Sequence, residues 1–399
     1  MHRPLPMILV FLGVILLITL GSHWFLWTRL VRATQLDAPW RNVATGLFLA
    51  GALVMPLSLV LHQVTDTPLS RGLSFLGYVW MGLAFYLLIG LFAGQFVHLA
   101  HWLLQALKLT SPDADRRLFL ARTLGGGVAA LTAVAGVAAL RAGMKAPDLV
   151  EVVVPLKKLP KALHGLTIVQ VSDLHVGPTI RGDVVEALVD RINALKPDLV
   201  ALTGDLVDGS VAALSPEMTA FKRIQAKYGV FFITGNHEYY SGVDNWLTWW
   251  RAQGVTVLRN ERVTIGEGEN VFDLAGVDDW SASRFGNGHG HDLPKALAGR
   301  DPQRELVLLA HQPKSITEAA QLGVGLQLSG HTHGGQIWPF SLLVGLQQPY
   351  VAGLAKEGDT WIYVSRGTGY WGPPMRLAAP SELTKIVLHS VPVAVGQAG

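Results

Sequence analysis

Four long apolar stretches fill the first third of this chain: Met7–Trp27, Val43–Leu61, Leu73–Leu104 and Leu118–Leu140. Each approaches or exceeds the ~20 residues that carry an α-helix across a bilayer. Lipid offers a backbone no hydrogen-bond partner, so such a stretch must satisfy its own amides as a helix. Trp24, Trp27 and Trp102 lie near stretch ends, where interfacial anchors sit. Half of the 399 residues are apolar, 15% are charged and the mean hydropathy is +0.34, which is greasy for a soluble protein. Buried helices of a soluble core rarely run this long without charge. The expectation is an all-α membrane region of about four transmembrane helices over residues 1–145, then a second domain over residues 146–399. His98 and His101, one turn apart in the third stretch, read as packed or interfacial side chains before they read as a metal site.

The short loops predict an orientation. Arg29, Arg32 and Arg41 lie between the first two stretches, and Lys108, Arg116, Arg117 and Arg122 lie at the junction of the last two. The middle loop holds only Arg71. The positive-inside rule puts the first and third loops in the cytoplasm, so both termini and the large domain face out. Arg141, Lys145, Lys157, Lys158 and Lys161 pull weakly the other way. Asp115-Arg116-Arg117-Leu118-Phe119-Leu120, followed by the apolar run Thr123–Leu140, resembles a twin-arginine export signal. That resemblance implies the twin-arginine export machinery as a partner, though such signals are normally N-terminal and this one is internal. The same residues also suit the charged flank of an ordinary membrane helix. Either way the expected location is a multi-pass membrane protein with an extracytoplasmic catalytic domain.

Beyond residue 146 the apolar segments shorten and turn residues appear. Strands are expected at Leu166–Val171, Leu199–Thr203, Gly229–Ile233, Val255–Leu258, Val263–Ile265, Val271–Ala275, Leu306–Ala310, Gly325–Leu328, Trp361–Ser365 and Leu383–Leu388. Helices are expected at Val184–Leu195, at Pro216–Lys227 capped by Ser215, and at Val243–Gln253. Alternation of this kind predicts an α/β layered sandwich. The net charge of +3 gives no nucleic-acid footprint. The absence of cysteine excludes disulfides and thiolate ligands, so any metal is held by nitrogen and oxygen.

Five clusters of such donors follow five of these segments: Asp173-Leu174-His175, Gly204-Asp205, Gly235-Asn236-His237-Glu238, His311 and Gly330-His331-Thr332-His333. Singly, each has a plainer role. Asp173 suits a turn, Asp205 a helix cap, Asn236 a left-handed turn, and His311 a cap on the next helix. Together, at the carboxyl ends of strands, they read as one site. In an extended segment residues i and i+2 point the same way, so Asp173 with His175, and His331 with His333, are each expected to reach a common ion. Imidazole, carboxylate and amide oxygen suit divalent Mn, Zn, Fe or Ni. Two ions about 3.5–4 Å apart need a shared ligand, and Asp205 is the candidate bridge. Metal-assisted hydrolysis would then proceed by attack of a metal-bound hydroxide, His237 would protonate the leaving group, and Glu238 would orient His237 or its loop.

These five blocks resemble the signature of the calcineurin-like metallophosphoesterase superfamily, over about Leu166 to Leu388. The resemblance implies a four-layered αββα sandwich. It also implies Asp173, His175, Asp205 and His333 on one ion, Asp205, Asn236, His311 and His331 on the other, and His237 as general acid. Gly330–Gln336 and Val364–Gly369 are similar to the bacterial membrane-associated branch, which includes a twin-arginine-exported phosphoesterase and a UDP-2,3-diacylglucosamine hydrolase. The implied activity is hydrolysis of a phosphomonoester, phosphodiester or pyrophosphate, lipid- or envelope-linked. A cytoplasmic-facing nucleotide phosphodiesterase and a non-catalytic metal-binding receptor or transporter are the rival readings. Asp208 reads first as a loop cap. Asp278 and Asp279 read as supports to the site or as solvated turn residues. Tyr239, Tyr240, Arg366, Trp371 and Arg376 are substrate-contact candidates. Trp246, Trp249 and Trp250 read as core packing, with a bilayer-touching patch as the second reading.

Overall fold

The computed structural model describes residues 5–109 and 113–391. The chain divides into two compact units, one of Met1–Arg141 with Gly372–Met375 and one of Ala142–Trp371 with Arg376–Gly399.

The first unit is built on four helices: α1 (Leu5–Trp27), α2 (Ala38–Val64), α3 (Pro68–Ala106) and α4 (Ala114–Gly143). Each contains a window long and apolar enough to cross a membrane. Side-chain hydrogen bonds link α1 to its neighbours. Trp80 Nε1 donates to His23 Nε2 at 2.8 Å, and Trp27 Nε1 donates to Thr45 Oγ1 at 2.9 Å. Thr67 and Ser70 form a capping box that starts α3. Among the described residues, neither His98 nor His101 belongs to a metal-ligating cluster.

The second unit carries two mixed six-stranded sheets. Strands β1 (Asp148–Leu156), β2 (Leu166–Val171), β3 (Leu199–Leu202), β4 (Val230–Phe232), β5 (Thr256–Val257) and β12 (Glu382–Ser390) form one, in the order β1-β12-β2-β3-β4-β5. Strands β6 (Glu261–Glu267), β7 (Asn270–Gly276), β8 (Leu306–Leu309), β9 (Leu326–Ser329), β10 (Gly353–Glu357) and β11 (Thr360–Val364) form the other, in the order β10-β11-β9-β8-β7-β6. Within each, the central strands run parallel.

Alternation along the strands sets the layers. Ile168, Leu199, Ala201 and Phe231 of the first sheet meet Phe272, Leu274, Val307, Leu309 and Leu328 of the second in one core, so the sheets pack face to face. The intervening residues Val169, Val200 and Leu202 face α5 (Gly182–Ala194), α6 (Val211–Met218) and α8 (Val243–Ala252), with short α7 (Asn236–Tyr240) between the last two. On the far side, Ala275, Leu306 and Leu308 meet Leu293 and Ala296 of α9 (Leu293–Ala296) and Ala319 of α10 (Ile316–Gln321). The result is a four-layered αββα sandwich. Strands covered on both faces can be wholly apolar, as β3 and β8 are.

Several elements differ from expectation. The helix assigned to Pro216–Lys227 begins earlier, at Val211 after Ser210, and tightens to a 3-10 turn at Thr219–Arg223. Ser215 and Pro216 lie inside it, so Ser215 caps nothing. Strand β1 and strand β10 were not anticipated: each is an edge strand, β1 beside β12 and β10 beside β11.

Candidate metal centre

Every donor cluster follows the carboxyl end of a parallel strand: Asp173 and His175 after β2, Asp205 after β3, Asn236 after β4, His311 after β8 and His331 after β9. The backbone there is not extended. Asp173, His175, Asp205, His331 and His333 all have φ between 52° and 71°, a region that side chains other than glycine rarely occupy. Five such residues in one place are strain held by the surrounding sheets, the kind of cost that collects at functional sites. This corrects the extended i, i+2 argument. Asp173 and His175 do converge, and His333 joins them, whereas His331 turns away to Asp205 and His311.

Distances within the groups are short. His175 Nε2 and His333 Nε2 lie 3.1 Å apart, and Asp173 Oδ1 is 3.5 Å from His333 Nε2. His311 Nε2 lies 3.0 Å from Asp205 Oδ2. Glycine permits this crowding: a Cβ on Gly235 would sit 2.2 Å from Asp205 Oδ1, and one on Gly330 would sit 2.1 Å from Asp173 Oδ2.

Backbone amides hold the carboxylates in place. Asp173 accepts from His331 N–H at 2.9 and 3.0 Å, and Asp205 Oδ1 accepts from His237 N–H at 2.8 Å. Glu238 accepts three, from Asp205 N–H (2.9 Å), Leu206 N–H (2.8 Å) and Gly235 N–H (2.7 Å), and so ties the loop after β3 to the loop after β4. Its own pKa is pushed up to about 7 by burial and then by Asp205, against those amides.

Asp208 caps no helix. Its Oδ1 accepts from His237 Nδ1 at 2.6 Å and from His175 Nδ1 at 3.0 Å. A carboxylate only accepts, so both rings carry their proton on Nδ1 and turn Nε2 inward. Burial would raise Asp208, but the His175 and His237 charges outweigh it and hold the carboxyl well below its ordinary range. Burial likewise would lower His237, and Asp205 and Asp208 outweigh it, pushing that ring up to about 9.

Other residues fall farther out. Arg376 is buried and donates to the carbonyls of His333, Gly369 and Ala379, so it braces the loop under His333 and is no substrate contact. Arg366 is paired with buried Glu382 at 2.8 Å. Asp278 and Asp279 are buried, not solvated: Asp278 grips Arg259, and Asp279 accepts from Gln312, the residue after His311. Tyr239 is buried against Thr234. Tyr240 and Trp371 stand exposed with ring centres 5.2 and 5.8 Å from His237. Trp246 and Trp250 are fully buried in the core.

Residues 166–335 match the family described as calcineurin-like phosphoesterase. A zebrafish (Danio rerio) protein named transmembrane protein with metallophosphoesterase domain is 35% identical over 388 residues, 93% of this chain and 87% of that protein. The chain belongs to the calcineurin-like phosphoesterases. A bovine (Bos taurus) protein of the same name is 38% identical over 71% of this chain and 65% of its own length. An uncharacterized metallophosphoesterase of Helicobacter pylori is 40% identical over 62% and 65%. This metallophosphoesterase is therefore a hydrolase of phosphoric esters, from a family that uses divalent metals, and a membrane protein.

The residues fit such ions. His311 Nδ1 donates to Thr203 O at 2.8 Å, which leaves Nε2 as a lone pair facing the Asp205 carboxylate. Burial lowers His311, but Asp205 outweighs it and drives the pKa well above its usual value: the pair needs a positive charge between them, and a cation can take the proton's place. Among the described residues, Asn236 Oδ1 and His331 Nδ1 are buried without a hydrogen-bond partner. Leaving such atoms bare costs about 1–3 kcal/mol each. Burial, joined by His311, brings His331 down to about 3, and burial with His175 and Arg376 brings His333 well below its usual value, so both are neutral ligand-type imidazoles. Nitrogens bound to one ion at about 2.0–2.1 Å lie roughly 3–3.4 Å apart; His175 and His333 meet that spacing.

Proposed function

We propose that this metallophosphoesterase is a membrane-anchored binuclear enzyme acting outside the cytoplasm on a phosphomonoester, phosphodiester or pyrophosphate linked to a lipid or another envelope component. The observation that carries the binuclear part is the pair of donor groups, Asp173–His175–His333 and Asp205–His311–His331. Asn236 Oδ1, buried beside the second group, would supply its remaining donor, and Asp205 would be the carboxylate shared between the two. Ions of the Mn, Zn, Fe or Ni class, when bound, would acidify water and neutralise the phosphoryl oxygens.

The side chains do the rest. With Nδ1 committed to Asp208, His237 presents Nε2 to the leaving oxygen and passes it a proton. Glu238 keeps Asp205 and His237 in register through three backbone amides. Sidedness rests on the arginine-rich first and third loops. A reporter active only outside the cytoplasm, fused after Gly399, is expected to be active, and an inactive reporter beside an active cytoplasmic one would reverse the orientation. Full-length enzyme in detergent or vesicles, assayed on a panel of lipid-linked and water-soluble phosphoesters, is expected to prefer the lipid-linked ones. High turnover confined to soluble nucleotides would favour the nucleotide phosphodiesterase instead.

A further inference from the structure

From Gly334 to Ala355 the chain holds no charged residue, and this stretch begins immediately after His333. It contains the short helix α11 (Phe340–Val344), none of whose residues is buried. A helix on a folded domain normally turns an apolar face to the core. Here Phe340, Leu342 and Leu343 are 41%, 68% and 53% exposed, and Trp338 and Leu346 beside them are 55% and 82% exposed.

A sixth apolar side chain belongs to the same lip. Gln336 Nε2 donates to Trp371 O at 2.9 Å, and Trp371 N–H donates to Gln336 Oε1 at 2.9 Å. The Trp371 indole, 53% exposed, lies 5.8 Å from the His237 ring. The lip therefore borders the site at two points, His333 and His237. A concentrated apolar surface of this kind marks an interaction face. Its composition selects the partner. Leucines, a phenylalanine and two tryptophans without a charge among them suit the boundary between headgroups and acyl chains, where indoles settle. The chain carries its own membrane helices, so a bilayer is always at hand.

We infer that this lip sits in the bilayer interface and presents the site to phosphoesters at the membrane surface; the substrate half of the inference rests on the lipid-linked reading above. The patch is distinct from the Trp246 and Trp250 cluster, which is spent on the core.

The absence of cysteine makes the test direct. Leu342→Cys, Leu346→Cys and, as an exposed control, Glu269→Cys are each labelled with an environment-sensitive fluorophore in the full-length protein. The proteins are reconstituted in phosphatidylcholine–phosphatidylglycerol vesicles with a spin-labelled lipid quencher. Labels at 342 and 346 are expected to shift to the blue and be quenched, and the label at 269 to do neither. Labels at 342 and 346 that behave like the one at 269 overturn the inference. So does a blue shift without quenching, which means that protein, including a second copy of this chain, covers the lip. The readout needs no turnover, so it fails separately from the substrate reading. That reading is followed in Leu342→Glu/Leu346→Glu, which should keep hydrolysis of soluble nitrophenyl phosphate and lose hydrolysis of an alkyl nitrophenyl phosphodiester held in vesicles. Equal effects on both substrates contradict it.

Discussion

At the residue scale, the site turns on Asp208 and His237. One carboxylate oxygen serves the Nδ1 of both His175 and His237, so a single residue orients the proposed ligand and the proposed proton donor. Asp208→Asn should weaken metal binding roughly 10–100-fold, the usual cost of losing an outer partner. Metal titration of the purified protein reads this directly, and unchanged affinity with normal turnover would remove Asp208 from the centre. His237→Ala should lower kcat by roughly 10²–10⁴ for alkyl leaving groups and far less for nitrophenol, with metal content kept. Equal losses on both would contradict a general acid. The residue types of the centre were legible because nitrogen and oxygen donors leave few choices in a cysteine-free chain. Their directions were not. Left-handed backbone at Asp173, His175, Asp205, His331 and His333 redirects each side chain, and no local pattern announces it. Asp208 reads as a loop cap in the sequence because its partners, His175 and His237, lie 33 and 29 residues away.

At the element scale, the strands feeding the site are held by what lies on their two faces. Trp250 of α8 stacks on Phe232 of β4 at 5.1 Å and meets Phe221 edge-on at 5.3 Å, just before the Asn236–His237 loop. Trp250→Ala leaves a cavity there and should destabilise the catalytic unit by about 3–5 kcal/mol. A thermal melt of the full-length protein checks it; an unchanged midpoint would mean that α8 does not secure β4. Central strands such as β3 and β8 are readable because burial on both faces makes them continuous apolar runs. Edge strands β1 and β10 alternate partly buried and exposed positions over most of their length, and Glu151, Lys356 and Glu357 interrupt their apolar pattern. Pro216 misled for another reason: proline is favoured at a helix start, but here it lies in the last turns of α6.

At the scale of the whole molecule, a phosphoesterase fold and four membrane helices share one chain, and a relative 35% identical over 93% of it shares both in its name. Asp205 is proposed to join the two donor groups into one binuclear centre. Elemental analysis of the purified full-length protein, compared with Asp205→Asn, tests it most directly. About two divalent ions per chain are expected in the native protein, and the variant is expected to lose most of its metal and its turnover together. A native protein saturating at one ion, or a variant that keeps its metal and its activity, would contradict it.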